Sequence, residues 1–426
     1  MSQEQISRQL VIIFWQGRLL TAVYENDKLA EILLDTVDDL VLGDIYVGKV
    51  QNIVKNINAA FVEFDKEKRR CGYYSLKENT EHFFMNPKKG TALVPGDELL
   101  VQVIKEPIKT KPAMLTGRFT LTGQHLILTA KKSFVGISTK ITVPKDKQRL
   151  QKIIEPFVTK DYGFIVRTQA IEASEETLCQ EASRLSGQYE AILKKAAFSK
   201  CFLKIYSAMP SYLRYIQSHP DIEKITTDIP EIYENLKSGL MDLGLSIPLI
   251  LYKDDTWPLV KLKSLKTHME RALNPQVWLK SGGFLMIQPT EAMVVIDVNT
   301  GRYAGKKNDQ ETYFKTNMEA AQEIARQLRL RNLSGIIIID FIDMKSPDMR
   351  KALFSKMKEL LEKDTVKTTL VDTTRLGLME ITRKKEHRPL HELLGKPCPA
   401  CRGQGRIYGN AQSSGNEGPL QGGIWL

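Results

Sequence analysis

Residues 294–307 read "VVIDVNTGRYAGKK", an apolar run followed by glycines and paired lysines. A phosphate-binding P-loop has four residues between its glycines, then Lys and a Ser or Thr. Here three residues separate Gly301 from Gly305, and Lys306 is followed by Lys307 instead of a hydroxyl residue. The loop is therefore not a P-loop, and the sequence argues against a nucleotide hydrolase.

The residues around this loop predict a strand, a helix and a second strand. Residues 293–297, "MVVID", and residues 335–340, "GIIIID", are unbroken apolar runs. Asn308 and Glu311 have capping-box spacing at the start of the intervening segment. Apolar residues then recur at steps of four and three, as on one helical face: Phe314, Met318, Ala321, Ala325 and Leu328. This order predicts a βαβ unit with two parallel strands.

An aspartate ends each of the two predicted strands. Asp297 and Asp340 should therefore converge at the carboxyl ends of parallel strands, where open α/β sheets place their chemistry. Two carboxylates can share a magnesium ion, which prefers oxygen ligands and assists phosphodiester hydrolysis. Asn299 lies two residues beyond Asp297 and could orient water or a phosphate oxygen. Spacing alone leaves Asp340 and Asp343 open as the second ligand.

Three arginines near the end of the predicted helix add positive charge: Arg326, Arg329 and Arg331. We expect part of this set to be structural and one or two of its members to contact phosphate.

Upstream, the chain predicts a β-rich half. Residues 9–34 alternate in character around two turns, which indicates hairpins. Residues 43–106 contain short β-rich runs, glycine turns and exposed aromatic residues, as in a small OB-fold barrel. Residues 105–160 hold 12 Lys and Arg against 3 Asp and Glu, a net charge of +9. Helices are predicted at 173–199 and 229–244.

Composition favours an anionic partner. The 426 residues carry a net charge of +11, and 42% of them are apolar, enough for two or more domains. Five cysteines in so long a chain argue for a reducing compartment. No apolar segment near the N-terminus is long enough to span a membrane, so we expect a cytoplasmic protein.

Cys398 and Cys401, in "CPACRGQG", have the spacing of half a zinc site, which requires four ligands. A redox pair is the competing interpretation, but it lacks the βαβ context of a thioredoxin-like motif.

Four motifs occur in order: "MVVIDVNTGRYAG", "TNMEAAQEIARQLRLRNLSGIIIIDFIDM", "RLGLMEITR" and "CPACRGQG". Together with "GDIYVGKVQNIVKNINAAFVEF" upstream, they closely resemble the ribonuclease E/G family of bacterial endoribonucleases, in its short, ribonuclease G-like form. The resemblance covers roughly residues 8–408. It implies magnesium-dependent cleavage of single-stranded RNA, including ribosomal RNA precursors and messenger RNA, with 5′-phosphate and 3′-hydroxyl products. The metal-binding aspartates of the family fall on Asp297 and Asp340, and its catalytic asparagine falls on Asn299.

The resemblance also implies an α/β multidomain fold: an RNase H-like subdomain with an inserted OB-fold and 5′ sensor, followed by a DNase I-like catalytic subdomain. The boundaries expected are 1–37 and 207–278 for the RNase H-like parts, 38–118 for the OB-fold, 119–206 for the sensor, 279–394 for the catalytic subdomain, 395–408 for a zinc-link and 409–426 for a flexible tail.

Further roles follow from the same resemblance. The RNA-contacting positions of the family match Phe61, Tyr73 and Lys111, with Tyr73 in place of the more usual Phe. "YGFIVRTQA" matches the 5′-monophosphate sensor and assigns that role to Arg167 and Thr168. Family members share one zinc between two chains, which implies that Cys398 and Cys401 join a homodimer. A non-catalytic RNA-binding scaffold is the alternative, and retention of both aspartates and Asn299 argues against it.

Overall fold

The computed structural model describes residues 7–35, 42–86, 90–105, 107, 111–301, 309–396 and 398–401. The predicted cap residue Asn308, the loop 302–308 and the predicted tail at 409–426 lie outside these residues. The described residues form a mixed α/β structure with four sheets.

The first half of the chain is mainly β-structure. Its elements are β1 (Arg8–Trp15), β2 (Arg18–Glu25), β3 (Lys28–Leu34), β4 (Ile45–Val54), β5 (Ala59–Asp65), β6 (Arg70–Ser75), β7 (Glu98–Lys105), β8 (Ala113–Thr116), β9 (Thr120–Thr122), β10 (Leu126–Ala130), β11 (Val135–Ile137), α1 (Pro144–Ile154), β12 (Tyr162–Val166), α2 (Glu175–Ala197) and β13 (Lys204–Tyr206).

The second half alternates helices and strands. Its elements are α3 (Ser211–Ser218), β14 (Ile222–Thr227), α4 (Pro230–Asp242), β15 (Leu249–Leu251), α5 (Leu259–Leu262), α6 (Leu265–Leu273), β16 (Gln276–Trp278), β17 (Phe284–Pro289), β18 (Met293–Asn299), α7 (Asp309–Leu330), β19 (Gly335–Asp340), α8 (Pro347–Glu362), β20 (Thr368–Thr373), β21 (Met379–Arg383) and α9 (Leu390–Leu394).

The N-terminal sheet combines distant parts of the chain, in the order β15-β14-β1-β2-β3. Strands β1, β2 and β3 form the predicted antiparallel hairpins. Both tight turns use residues with positive φ, which matches the right-handed twist of the strands: Gln16 and Gly17 in one, Asn26 and Asp27 in the other. Strand β14 then pairs in parallel with β1, so residues 222–251 complete a sheet begun at residue 8.

A closed barrel follows in the chain. Strands β4, β5, β6, β8 and β7 pair in sequence, and β7 pairs back to β4, which confirms the predicted OB-like barrel. Its core contains Phe64, Tyr74, Leu99 and Leu115, all almost inaccessible to solvent. Gly48 fits the barrel because a Cβ there would lie 2.6 Å from a Val62 methyl. Behind the barrel, the sheet β11-β12-β10-β9 packs against helices α1 and α2.

The last sheet has the order β16-β17-β18-β19-β21-β20. The predicted βαβ unit is confirmed: α7 connects β18 to β19, and the two strands are parallel. Helices α7 and α8 cover one face of the sheet, where Ile324 and Leu328 pack among inward residues such as Ile337 and Ile339. Among the described residues, α7 and α8 thus cover one face of this sheet, and the opposite face is accessible to solvent at Met293 and Ile336.

The C-terminal half of α7 is attached to the N-terminal sheet by charged side chains. Arg329 donates hydrogen bonds to both carboxylate oxygens of Glu25, at 2.9 and 2.6 Å, and to Glu31 at 2.8 Å. Arg326 donates to the Leu29 carbonyl on β3. Burial alone would raise the pKa of the Glu25 carboxyl, but hydrogen bonds and charge from Arg329 and Arg8 lower it to about 2.

These three arginines contact protein groups remote from the paired aspartates, and their contact with phosphate stays a prediction. Arg326 and Arg329 bind the N-terminal sheet, and Arg331 is buried and donates to Gln327. The crossover helix runs antiparallel to its strands, so its last turns lie at the end of the sheet remote from the aspartates. At about 1.5 Å per residue, Arg329 is roughly 18 Å along the helix from Asn317, which contacts the loop after β19.

The charged contact predicts a large effect of Arg329→Met. The substitution leaves buried Glu31 and half-buried Glu25 without their shared partner, although Glu25 keeps its ion pair with Arg8. Removing one partner of a buried ion pair typically costs about 3–5 kcal/mol. We expect the free energy of unfolding in urea at pH 7 to fall by that amount, whereas the exposed Arg271→Met should change it little.

The loss should also depend on pH. The lowered pKa of Glu25 means that its contribution is present above the unfolded pKa, about 4.3. This contribution disappears as the pH falls toward about 2. The difference between variant and wild type should therefore shrink between pH 7 and pH 3. An equal loss at both pH values would contradict the ion-pair account.

Candidate active site

Asp297 and Asp340 lie directly opposite each other in the paired strands β18 and β19. Neighbouring strands are about 4.8 Å apart, and alternate residues share a face. Both carboxylates are exposed on the face opposite the helices, because Ile296 and Ile339 occupy the buried positions beside them. The predicted convergence of the two carboxylates is confirmed as geometry.

Asn299 lies on the same face of β18. Its Nδ2 donates a hydrogen bond to Asp297 Oδ2 at 2.8 Å, which fixes the orientation of both side chains. Asp343 stands in the loop after β19, exposed and three residues beyond Asp340. The strand register therefore pairs Asp297 with Asp340, and Asp343 contributes to the pair through its charge.

The electrostatics of the pair favour a cation. Partial desolvation raises the pKa of Asp340, and the charges of Asp297 and Asp343 raise it further. A divalent cation relieves such repulsion, and a hard ion that keeps several waters needs only one or two protein carboxylates. Within the described part of the chain, no group of three or more His, Cys, Asp or Glu side chains could hold a metal ion. The pair thus offers two hard oxygen ligands for a divalent cation.

Asn317 is a residue that the sequence analysis missed. It is completely buried on α7, where its side-chain amide donates to the Ile342 carbonyl at 2.8 Å and accepts from the Ile342 amide at 3.1 Å. These two bonds hold the loop that connects Asp340 to Asp343. The sequence feature that could have identified Asn317 is a polar amide residue within the predicted apolar face of the helix.

Position 301, just after β18, requires a glycine because of its backbone conformation and its close packing. It has a φ of +66°, and a Cβ at this position would lie 2.3 Å from the Gly282 carbonyl oxygen. The turn around Gly282 is held in turn by Glu319 on α7, whose carboxylate accepts the amides of Lys280 at 2.6 Å and Ser281 at 3.1 Å. The glycine thus permits two loops to meet beside Asn299.

The three predicted RNA-contacting residues lie in one region of the barrel. Phe61 on β5 and Tyr73 on β6 are paired in register, with ring centroids 6.3 Å apart and the rings edge to face. Both rings are half-buried. Lys111 is exposed and precedes β8, which pairs with β6.

The two predicted sensor residues follow β12. Arg167 is half-buried, and its Nη1 donates to the carbonyls of Gly123 at 2.7 Å and Gln124 at 3.1 Å. Desolvation lowers the pKa of Arg167, against the opposing charge of Glu181. Thr168 is exposed, and its hydroxyl lies 3.2 Å from that of Ser138 in the neighbouring loop.

Glu181 on α2 stabilises the loop that holds Arg167. Its buried carboxylate accepts from the backbone amides of His125 and Leu126 and pairs with His125 Nδ1 at 2.7 Å. Burial opposes ionisation, but these hydrogen bonds lower the pKa of Glu181.

Comparison with known proteins identifies the family of the chain. A model of the ribonuclease E/G family matches residues 120–386. Ribonuclease G of Haemophilus influenzae is 36% identical over 379 residues, covering 86% of this chain and 77% of that protein. The chain belongs to the ribonuclease E/G family. Ribonuclease G of Escherichia coli is 34% identical over 381 residues, with 86% and 77% coverage. Ribonuclease E of Nostoc sp. is 33% identical over 408 residues, covering 92% of this chain and 58% of that protein.

In this member of the ribonuclease E/G family, none of the helices among the described residues is long and apolar enough to cross a membrane. Cys398 is exposed and Cys401 half-buried near the end of the described chain. Hydrogen bonds from the backbone amides of Cys401 and Ala400 lower the pKa of the Cys398 thiol. The Cys398 thiol therefore ionises more readily, as a thiol that binds a metal must.

The Asn317 contacts predict a specific defect in Asn317→Leu. The substitution removes both hydrogen bonds to the backbone of half-buried Ile342, at a cost of about 1 kcal/mol for each lost bond. We expect a lower free energy of unfolding and a weaker response to magnesium, because the loop next to Asp340 is no longer held. Exposed Gln322→Leu on the same helix is the control. Wild-type stability together with a wild-type magnesium response would contradict this role.

Proposed function

We propose that the chain is a magnesium-dependent endoribonuclease of RNA processing and decay in the cytoplasm, which cleaves single-stranded RNA to 5′-phosphate and 3′-hydroxyl ends. Family membership makes it an endoribonuclease, a hydrolase that acts on RNA. The observation that carries the proposal is the in-register pairing of Asp297 and Asp340 on the exposed face of the sheet.

The proposed metal ligands are Asp297 and Asp340. A bound magnesium ion supplies positive charge that polarises the phosphodiester and lowers the pKa of the attacking water. Asn299 binds Asp297 through one N–H, and an amide side chain has a second N–H and a carbonyl oxygen. Its proposed role is to orient the water or a phosphate oxygen.

The proposed RNA contacts combine stacking and charge. Phe61 and Tyr73 supply adjacent aromatic edges and faces for unpaired bases, and exposed Lys111 supplies charge for phosphate. Ribosomal RNA precursors and messenger RNA are the substrates that we propose on the basis of the family.

Stimulation by a 5′-monophosphate is proposed to depend on Arg167 and Thr168. Both hydrogen bonds of Arg167 use Nη1, and a guanidinium has five N–H donors, so its other donors suit a phosphate. The exposed Thr168 hydroxyl adds a donor. Thr168→Val tests this proposal: it should slow cleavage of 5′-monophosphorylated RNA but not of 5′-hydroxyl RNA.

We assign the subdomains as the family resemblance implies. The sheet that contains β1–β3 and β14–β15 corresponds to the RNase H-like subdomain, divided at about residues 37 and 207. The barrel and the α1–α2 region are the insertions. We assign 279–394 to the DNase I-like subdomain and 395–408 to the zinc-link. Strand β16, which ends at Trp278, pairs with β17 and joins the same sheet.

Shared zinc is the proposed basis of a homodimer. Cys398 and Cys401 supply two of the four ligands of a structural zinc. In the described part of the chain, no further ligand completes the site. A partner chain would provide the other two cysteines.

A non-catalytic RNA-binding scaffold is the alternative function. It would need the barrel and the basic residues but neither the carboxylate pair nor Asn299.

Asp297→Asn or Asp340→Asn should decrease cleavage of a short 5′-monophosphorylated single-stranded RNA by orders of magnitude, because each substitution removes a charged metal ligand. Binding of the same RNA should persist, since the barrel is intact. Asp372→Asn, an equivalent change on exposed strand β20, is the control. Cleavage at the wild-type rate by either variant at low magnesium would refute the assignment.

The zinc proposal predicts one zinc per two chains. Replacing both Cys398 and Cys401 with Ser should give metal-free, mainly monomeric protein, and a strong chelator should have the same effect on wild type. Cys71→Ser, at another exposed cysteine, should change neither property. Metal analysis measures the zinc bound per chain, and light scattering measures the oligomeric state. One zinc per monomer, or a serine variant that remains dimeric, would show that zinc is not shared.

A further inference from the structure

Two aromatic side chains lie together at the edge of the catalytic sheet. Trp278, on the edge strand β16, is 66% exposed. Phe284 on β17 is its register partner and is half-buried. Their ring centroids are 5.4 Å apart, with the planes tilted by 58°. The smaller ring therefore supports the larger one from the side and leaves the indole accessible.

The pair lies on the same face as the carboxylates. Phe284 is the register partner of Asn299, and Met286 is that of Asp297. Trp278, Phe284 and Asn299 thus form one row across three strands. Two strand spacings separate the ends of this row, about 10 Å. An RNA strand bound at the carboxylates therefore needs to extend only about 10 Å to reach the indole.

The opposite face of the same strands explains why the indole points outward. Val277 and Leu285 alternate with the aromatic residues and pack in the core beneath α7. Trp278 therefore cannot turn into that core without reversing the register of its strand. Exposed Lys280 follows two residues later, where its charge can attract phosphate.

We infer that Trp278, supported by Phe284, is a stacking platform for one nucleobase of the RNA strand bound at Asp297 and Asp340. The inference rests on the proposed function, which brings RNA to this face. Aromatic stacking accepts any base, so the platform orients the strand without reading its sequence. A second copy of the chain is the less favoured occupant, because the carboxylate face has to admit substrate.

The experiment measures binding in an Asp297→Asn background, which prevents cleavage. Short single-stranded RNAs carry the fluorescent base 2-aminopurine at successive positions, and quenching identifies the stacked position. Trp278→Ala should abolish that quenching and weaken binding roughly 5- to 150-fold. Trp278→Phe should retain most of both. Trp257→Ala removes a tryptophan of similar exposure, 54%, from the loop before α5 and is the matched control.

An RNA that lacks the base at the identified position provides a stricter test. This RNA should bind protein that retains Trp278 as weakly as the complete RNA binds the Trp278→Ala variant. Combining the missing base with the Trp278→Ala substitution should cause no further loss of affinity. Independent, additive losses would overturn the inference, as would unchanged binding by Trp278→Ala. If Trp278→Ala instead alters the oligomeric state in light scattering, the face is a protein interface and the inference is wrong.

Different results would contradict the stacking platform and the proposed endoribonuclease function. If the platform is wrong, the wild-type protein still cleaves RNA and Trp278→Ala is as active as Trp257→Ala. If the proposed function is wrong, the wild-type protein does not cleave RNA with magnesium, whatever residue stands at 278.

Discussion

The parallel pairing of β18 with β19 is the constraint on which the candidate active site depends. The pairing sets Asp297 opposite Asp340, and a slip of one residue would turn one carboxylate toward the helices. The alternation of large apolar residues with the aspartates prevents that slip, because Ile296 and Ile339 must remain in the core. Hydrophobic burial thus holds close together two carboxylates whose charges repel each other.

Helix α7 connects this sheet to the rest of the molecule. Asn317 near its middle holds the loop after Asp340, and Glu319 holds the turn packed on Gly301. Arg329 at its far end binds the N-terminal sheet. One helix therefore links the geometry of the carboxylates to strands at the beginning of the chain. The N-terminal sheet serves as a support for the site and contributes none of the paired carboxylates.

The features predicted correctly from the sequence depend on local patterns. The two strands, the crossover helix and the barrel follow from periodicity and turn residues, and the convergence of the aspartates follows from the handedness of the crossover. The role of Arg329 was missed because its partner Glu25 is 304 residues away. Asn317 was missed because its partner is the backbone of Ile342, and no side-chain pattern in the sequence indicates such a contact. In the sequence it is only a polar residue within an apolar helical face. Trp278 belongs to a three-residue strand, too short to show any periodicity.

The division of the N-terminal sheet has a consequence for folding during synthesis. Strand β1 lies between β2 and β14, and β14 begins at Ile222. At about 5–20 residues per second, a ribosome needs roughly 10–40 s to make the intervening chain. The barrel can close during this interval, since its strands lie within residues 45–116. One edge of β1 meanwhile lacks its native neighbour, and such an unpaired edge is a template for association with other nascent chains. The length of chain between β1 and β14 therefore sets the time for which this edge of β1 is without its native neighbour during synthesis.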